Sequence, residues 1–431
     1  MAFHIQEEET LDRNRLSELQ NRKFAAMLEH VLRTNAFYQR KLNAESTNAV
    51  FDFHQLPFTT RREIQQDQAG HPPYGTNLTY PADAYVRFHQ TSGTSGAPMR
   101  WLDRAEDWAW WKRCWGVIYR AAGVTDQDRF IFPFSFGPFI GFWAAFESAV
   151  SLGNLCLPAG AMTTKARLNF MTEHDVTFVG CTPTYALRMA EVASEEGIDL
   201  AGSTVRGLIV AGEPGGNIPA TRAKIESSWG ARVFDHTGMT EIGPYGFECV
   251  EARGGVHIHE SEFIAEVIDP ETTEPVSEGK SGELVLTNLG RWGSPLIRYR
   301  TGDHVRLTRE RCSCGRWFAR MEGGILGRID DMLIIRGNNV YPATIEAILR
   351  QFPGVAEFRM EVEERDAMAD LRIDVEPTPD ADGVRLKAEI ADAIRDRLNF
   401  RPSVSLVAPG ELPRFEMKAR RLVRHGKRSG N

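Results

Sequence analysis

Cysteine is scarce in this chain, 6 residues among 431. That is too few for a disulfide framework, and a chain of this length can bury a large core without one. An excess of positive charge is also missing. Asp and Glu number 58 against 51 Lys and Arg, a net charge of −7, which argues against a general nucleic-acid binder and leaves only local anion sites. The opening MAFHIQEEETLDRNR is charged and lacks the apolar core of a secretory leader. One long uncharged stretch, residues 130–146, carries Pro133, Gly137, Pro138 and Gly141. It sits at the short limit for a membrane span and reads as buried strand and loop. The expectation is a cytoplasmic protein with neither nucleic acid nor membrane as partner.

What is present is periodic. Leu16, Leu19, Phe24, Met27, Leu28, Val31 and Leu32 fall at helical spacing within residues 12–43. Residues 85–89 alternate like a strand, and a Trp-rich helix is expected over 106–122. Apolar runs at 130–134, 154–159, 176–180 and 207–212 alternate with helical patterns at 139–151, 164–173, 183–196 and 218–229. That alternation predicts a doubly wound α/β sheet. Residues 262–308 read as hairpin strands. Beyond Gly327 the order is strand 331–336, helix 342–351, strands 356–363 and 369–376, helix 384–398 and strand 402–407. The expected fold is α/β, with a large N-terminal domain over 1–327 and a small α+β domain over 328–431.

Five strings carry chemistry. Thr91-Ser92-Gly93-Thr94-Ser95-Gly96-Ala97-Pro98 is rich in hydroxyls and glycine, so it reads as a phosphate-binding nest or as a Ser/Gly surface turn. No Lys follows its last glycine, which excludes a Walker loop. In Asp235-His236-Thr237-Gly238-Met239-Thr240-Glu241, Thr240 could hold a phosphate oxygen and Glu241 a magnesium ion; a turn with an exposed Glu is the plainer meaning. Asp303, in Tyr299-Arg300-Thr301-Gly302-Asp303, suits a pair of ribose hydroxyls or a simple hairpin turn. The remaining two are Gly327-Arg328-Ile329-Asp330-Asp331, leading to Gly337-Asn338-Asn339, and Leu412-Pro413-Arg414-Phe415-Glu416-Met417-Lys418.

Together and in this order, the five strings resemble the acyl-adenylate-forming superfamily, and within it the short phenylacetate–CoA ligase-like branch. The likeness runs from about residue 85 to Arg424. It implies that ATP and a carboxylic acid give an acyl-AMP, that a mobile C-terminal domain then rotates, and that a thiol, usually CoA, takes the acyl group. Carried over by position, Thr91, Ser92, Gly93, Thr94, Ser95 and Gly96 hold the β- and γ-phosphates. Gly212, Glu213 and Pro214 line adenine on one side, and Asp235, His236 and Thr237 on the other. Thr240 meets the α-phosphate, Glu241 takes Mg²⁺, Asp303 binds ribose, and Arg328 is a second nucleotide contact. Asp330 is the hinge, Gly337 borders the pantetheine tunnel, and Lys418 reaches the adenylation site. Two positions depart from the pattern. Ala97 stands where a Lys is usual, so one pyrophosphate contact is lost or comes from elsewhere. Thr237 stands where a Tyr is frequent, so stacking on adenine is lost or passes to His236.

The resemblance puts the acyl pocket at residues 135–141. Phe134, Phe136 and Phe139 beside Gly141 form an aromatic wall that favours a flat aryl acid. Short or branched aliphatic acids are the second choice, and Phe142 and Trp143 read as core. Cys249, His257, Cys312 and Cys314 suit a closed structural zinc site, with three unrelated thiols as the plain alternative and His259 as an alternative ligand. Many members of the branch share this placement, which favours zinc. From Lys418 onward the tail holds six Lys or Arg and no acid, reading as a solvated tail or as help with CoA phosphates. The expected partners are an aryl acid, ATP and CoA. A carrier-protein phosphopantetheine or an amine is the alternative acceptor, and a homodimer is left open. A non-catalytic nucleotide-binding protein is disfavoured by Glu241, Asp303, Arg328 and Lys418.

Overall fold

The structure is a computed structural model and describes residues 3–42, 52–91, 98–138, 140–335, 338–365, 368–416 and 418–425. The helical pattern of 12–43 folds as two helices, Arg13–Thr34 and Ala36–Lys41. Asn35 divides them. Its extended backbone ends the first, and its side chain accepts from Tyr38 N to cap the second. Leu16, Leu19, Phe24, Met27, Leu28 and Val31 are buried, as their spacing requires.

The large domain is organised on a 12-stranded sheet. Strands Leu155–Pro158, Arg129–Phe132, Phe178–Cys181, Gly207–Val210 and Arg232–Met239 are parallel neighbours in that spatial order. Helices Thr164–Glu173, Pro183–Glu196 and Pro219–Trp229 connect them. Phe178–Cys181 and Gly207–Val210 are buried along their whole length, which is why they read as unbroken apolar runs. Past Arg232–Met239 the pairing becomes antiparallel, through Gly243–Phe247, Gly255–Ile258, Arg320–Glu322, Tyr299–Thr308, Ser281–Asn288 and Phe263–Ile268. The change of direction falls on the strand carrying Asp235 to Met239. Ligands of open α/β sheets bind at the carboxyl ends of strands, where connections reverse.

Three local expectations need correction. The helix expected over 139–151 begins at Trp143, because Gly141 takes a positive φ of 41° that breaks the turn before it. The strand expected over 331–336 is preceded by the 3-10 turn Ile329–Asp331 and spans Leu333–Ile335. Helix Arg61–Gly70, with a Thr60/Glu63 capping box, and strand Leu422–His425 were not anticipated.

The small domain has its own six-stranded sheet, with strands Val355–Arg365 and Met368–Pro377 at its centre. Helices Pro342–Leu349 and Gly383–Leu398 accompany it, over a core that includes Ile335, Ile345, Phe358, Ile373 and Ile390. Among the described residues no helix is long and apolar enough to cross a membrane.

Candidate active site

Asp303 lies on strand Tyr299–Thr308, where strand Gly327–Arg328 pairs Arg328 against it. Arg328 Nη1 donates to Asp303 Oδ1 at 3.0 Å and to Thr301 O at 2.9 Å, and Tyr245 OH donates to Oδ2 at 3.0 Å. Gly302 makes this approach possible. Its φ is +74°, and a Cβ there would lie 3.0 Å from Arg328 Nη2. Burial pushes Asp303 up to about 6, with Arg328 pulling it back down. Arg328 also grips Asp330, with Nε to Oδ1 at 3.0 Å.

Thr240 and Glu241 follow the end of strand Arg232–Met239. Their carbonyls both accept from Arg291 Nη1, at 2.8 and 2.9 Å, and Arg291 is held by both oxygens of Asp103, at 2.6 and 2.8 Å. Arg291 and Asp103 are completely buried, so the pair locks the turn that presents Thr240 and Glu241. Sequence reasoning missed this Arg; its only signal was a cation between Leu289-Gly290 and Trp292. The Glu241 carboxylate receives Tyr299 OH at 3.3 Å and faces Arg61 Nη1 at 3.8 Å. Arg61, also missed, heads the unanticipated helix, and its Nε is buried with no hydrogen-bond partner.

Lys418 arrives from the small-domain end of the chain. Its Cε lies 3.1 Å from where a Cβ on Gly212 would be, and Gly212 has φ +96°, so this glycine admits the lysine. The side chain as a whole is exposed. Even so, desolvation by surrounding atoms draws its pKa below the ordinary lysine value, while Glu213, Glu241 and Asp303 oppose that and Arg328 adds to it. Lys418 therefore shares a field with four of the residues singled out from the sequence. Glu213 holds the next residue directly, Ala419 N donating to Oε2 at 2.7 Å, while Thr184 N donates to Oε1 at 2.9 Å. Pro214 follows Glu213 in the same loop.

Asp235 packs against Gly216, receives Asn217 Nδ2, and is pushed up to about 7 by burial. His236 turns inward. Its Nδ1 meets Gly246 O at 2.7 Å, its ring lies 4.3 Å from Trp115, and burial pulls it down to about 4, so it is neutral near pH 7. Thr237 is buried with its hydroxyl toward Gly246. Thr91 Oγ1 accepts from Met99 N at 3.0 Å. Ser92, Gly93, Thr94, Ser95, Gly96, Ala97, Phe139, Gly337 and Met417 lie outside the described residues.

Phe134 and Phe136 pack at 4.9 Å, Phe134 against Phe142 at 5.1 Å, and Phe136 against Trp143 at 4.5 Å. Phe142 continues through Trp115 to His236, so aromatic rings link this loop to the strand bearing Asp235. Gly141 sits at the turn before Phe142. Phe136 is half-buried and leaves part of its ring uncovered.

The fourth group is apart from these. Cys249, His257, Cys312 and Cys314 are all buried, and their ligand atoms lie within 4.8 Å of one another. Strands Gly243–Phe247, Gly255–Ile258 and Arg320–Glu322 bring them together. Cys249 Sγ lies 3.8 Å from Cys312 Sγ, and Cys314 Sγ lies 3.6 Å from His257 Nε2. A tetrahedral zinc with ordinary bond lengths has edges of about 3.8 Å between sulfurs and about 3.6 Å from sulfur to nitrogen. His257 Nδ1 faces Phe318 O at 3.2 Å, which directs Nε2 inward as a ligand. The four donors fit structural zinc. His259 is not part of the cluster; its ring is enclosed by Phe247, Phe263 and Phe318.

Known proteins agree with this geometry. The family model described as "AMP-binding enzyme" matches residues 19–290, and that described as "AMP-binding enzyme C-terminal domain" matches residues 337–425. A phenylacetate–coenzyme A ligase of Thermus thermophilus is 32% identical over 434 residues, covering 95% of this chain and 96% of its own. A structure of 2-hydroxyisobutyryl-CoA ligase in its postadenylation state, in complex with R3-HIB-AMP, superposes with a TM-score of 0.90 at 28% identity, covering 98% of this chain and 92% of that one. The same ligase in its thioesterification state, in complex with 2-HIB-AMP and CoA, gives 0.72 at 29% identity, covering 97% and 91%. This chain thus superposes more closely on that ligase's postadenylation structure than on its thioesterification structure.

Proposed function

The chain belongs to the AMP-binding enzyme family, and on that premise we propose that it joins an aryl carboxylic acid to CoA in two steps. In the first, a carboxylate oxygen attacks the α-phosphorus of ATP; pyrophosphate leaves and an acyl-AMP remains. In the second, the CoA thiol attacks the acyl carbon, AMP leaves, and the thiol proton passes to solvent. The observation that carries this reading is Lys418, brought from the small domain over Gly212 beside Glu241 and Asp303.

Negative charge builds on carboxylate and phosphate oxygens as the first bond forms, and a fixed ammonium stabilises it. Lys418 has that role. Thr240 donates its hydroxyl to the α-phosphate, from a turn that Arg291 holds still. Asp303 accepts the ribose hydroxyls and Arg328 orients Asp303. The loop at Gly212–Pro214 and the strand segment Asp235–Thr237 enclose adenine, and Thr91 to Gly96 take the phosphate tail. Glu241, with one long hydrogen bond to its carboxylate, keeps acceptor capacity for magnesium, which supplies charge neutralisation of the phosphates when bound. Arg61, facing Glu241 with a free Nε, supplies the cation that Ala97 does not. Asp330 is the hinge between domains assigned to 1–327 and 328–431, and Gly337 is assigned to the pantetheine path from the sequence alone.

The aromatic rings of Phe134 and Phe136 beside Gly141, together with the phenylacetate–CoA ligase relative, support an aryl acid, with Phe139 assigned to the same wall from the sequence. A short branched acid is the second reading, supported by the 2-hydroxyisobutyryl-CoA ligase likeness. CoA is the acceptor; a carrier-protein phosphopantetheine or an amine is the alternative. Zinc at Cys249, His257, Cys312 and Cys314 pins the antiparallel part of the sheet and takes no part in the chemistry. The test is ATP–pyrophosphate exchange over a panel of aryl, hydroxy-branched and straight-chain acids, followed by product analysis with CoA, carrier protein or amine. Benzoate, phenylacetate or their ring-substituted forms should exchange fastest and yield a CoA thioester. Faster exchange with hexanoate or longer chains overturns the aryl assignment.

A further inference from the structure

Glu213 makes contacts that an adenine-lining role does not call for. Its two carboxylate oxygens serve two different domains. Oε1 accepts from Thr184 N, at the start of helix Pro183–Glu196, and Oε2 accepts from Ala419 N, the residue after Lys418. Helix N-termini leave main-chain donors unpaired, so the first contact is a natural carboxylate seat that belongs wholly to the large domain. It holds Glu213 in one orientation before the small domain arrives, and the second oxygen is already aimed outward. Docking then adds a charge-assisted hydrogen bond at the backbone beside the lysine without freezing a new rotamer on Glu213.

The same seam contains other polar contacts. Arg421 Nη1 donates to Thr184 Oγ1 at 3.3 Å while Glu357 holds its guanidinium at 2.7 and 3.0 Å. Thr164 Oγ1 meets Glu416 Oε1 at 3.3 Å, and Arg167 lies 3.6 Å from that carboxylate. Those contacts fix side chains around the segment. Among the described residues, the Glu213 contact alone fixes a main-chain atom adjacent to Lys418.

We propose that Glu213 is the catch of the adenylation position, a positioning residue that holds Ala419 and thereby sets Lys418 over Gly212. This deepens the proposed function and rests on Lys418 acting in the first half-reaction. When the small domain swings away, Glu213 itself loses only the Ala419 bond; Oε2 returns to water and Oε1 stays on Thr184. Glu213 thus favours one of the two domain positions and acts on the balance between half-reactions.

The test uses the full-length enzyme with Glu213→Gln and Glu213→Ala, after melting curves show that each folds. A Gln side chain offers one acceptor, so only one of the two amides can be served. ATP–pyrophosphate exchange should fall ~10- to 100-fold, the scale of one charge-assisted hydrogen bond. Thioester formation from supplied acyl-AMP and CoA, which also uses the adenine loop, should fall by less than about threefold, so the ratio of the half-reactions shifts at least ~3-fold. Dyes placed on the two domains should report a smaller docked fraction in the variants without ligands. Equal losses in both half-reactions, or a raised KM for ATP with unchanged kcat and docked fraction, would overturn the proposal and return Glu213 to adenine binding. Lys418→Ala, run alongside, separates the two levels: if its exchange activity survives, the reading of Lys418 fails, whatever Glu213 does.

Discussion

At Asp303, burial bears directly on the proposed ribose contact. Its carboxyl is pushed up to about 6 because the fold removes it from water, and Arg328 only partly restores the charged form. A carboxyl raised above its ordinary value binds its proton more tightly in the folded chain. Its contribution to stability is therefore greatest at low pH and is lost as pH rises from the ordinary carboxyl range through about 6. Ribose binding needs the opposite form, the anion that accepts two hydroxyls. kcat/KM for ATP should therefore rise with pH and level off above an apparent pKa near 6, and Asp303→Asn should lower the plateau and flatten this step. A pH profile that stays flat between 5 and 8 in the wild-type enzyme would remove Asp303 from the nucleotide site. At the same scale, Phe136→Ala should raise KM for an aryl acid while leaving KM for ATP unchanged. Loss of a ring contact costs ~1–3 kcal/mol, or roughly 5- to 150-fold. Steady-state kinetics with both substrates varied would decide it.

At the scale of elements, the antiparallel strands that gather Cys249, His257, Cys312 and Cys314 make a prediction of their own. Metal analysis of protein purified without added metal should find about one zinc per chain. Cys312→Ser should lose the metal and melt at lower temperature, because structural zinc contributes folding free energy directly. Full stability of metal-free protein would contradict the site. The elements also show what was legible. The buried strands Phe178–Cys181 and Gly207–Val210 were readable because both faces are covered, so apolar residues run on without a break. The helix break at Asn35 was not, since Asn carries the cap through a side-chain bond that hydrophobic spacing does not register. Strand Leu422–His425 was hidden for a different reason. It is a short edge strand set in basic sequence, and its pairing with Met360 to Glu363 arises only after the small domain folds. Among candidate site residues, strings with glycine, hydroxyl and acid singled out Asp303 and Glu241. Arg291 and Arg61 gave no pattern, because each acts through partners remote in sequence, Asp103 and Glu241.

The molecule as a whole has three apolar cores, two in the large domain and one in the small, and polar contacts run between the domains. The small domain has its own apolar cluster, and its C-terminal segment meets the large domain through Glu213, Thr184, Thr164 and Arg167. A seam of hydrogen bonds and ion pairs can open and reform in water more readily than a buried apolar interface. The arrangement matches a relative's postadenylation state better than its thioesterification state, 0.90 against 0.72, and in this arrangement Lys418 lies over Gly212. The most direct measurement of the account is therefore Lys418→Ala assayed in the two half-reactions separately. Acyl-AMP formation should fall by ~10²–10³, the usual loss for a group that stabilises developing charge, while conversion of supplied acyl-AMP to acyl-CoA stays close to wild type. Equal loss in both half-reactions, or undiminished acyl-AMP formation, would contradict it.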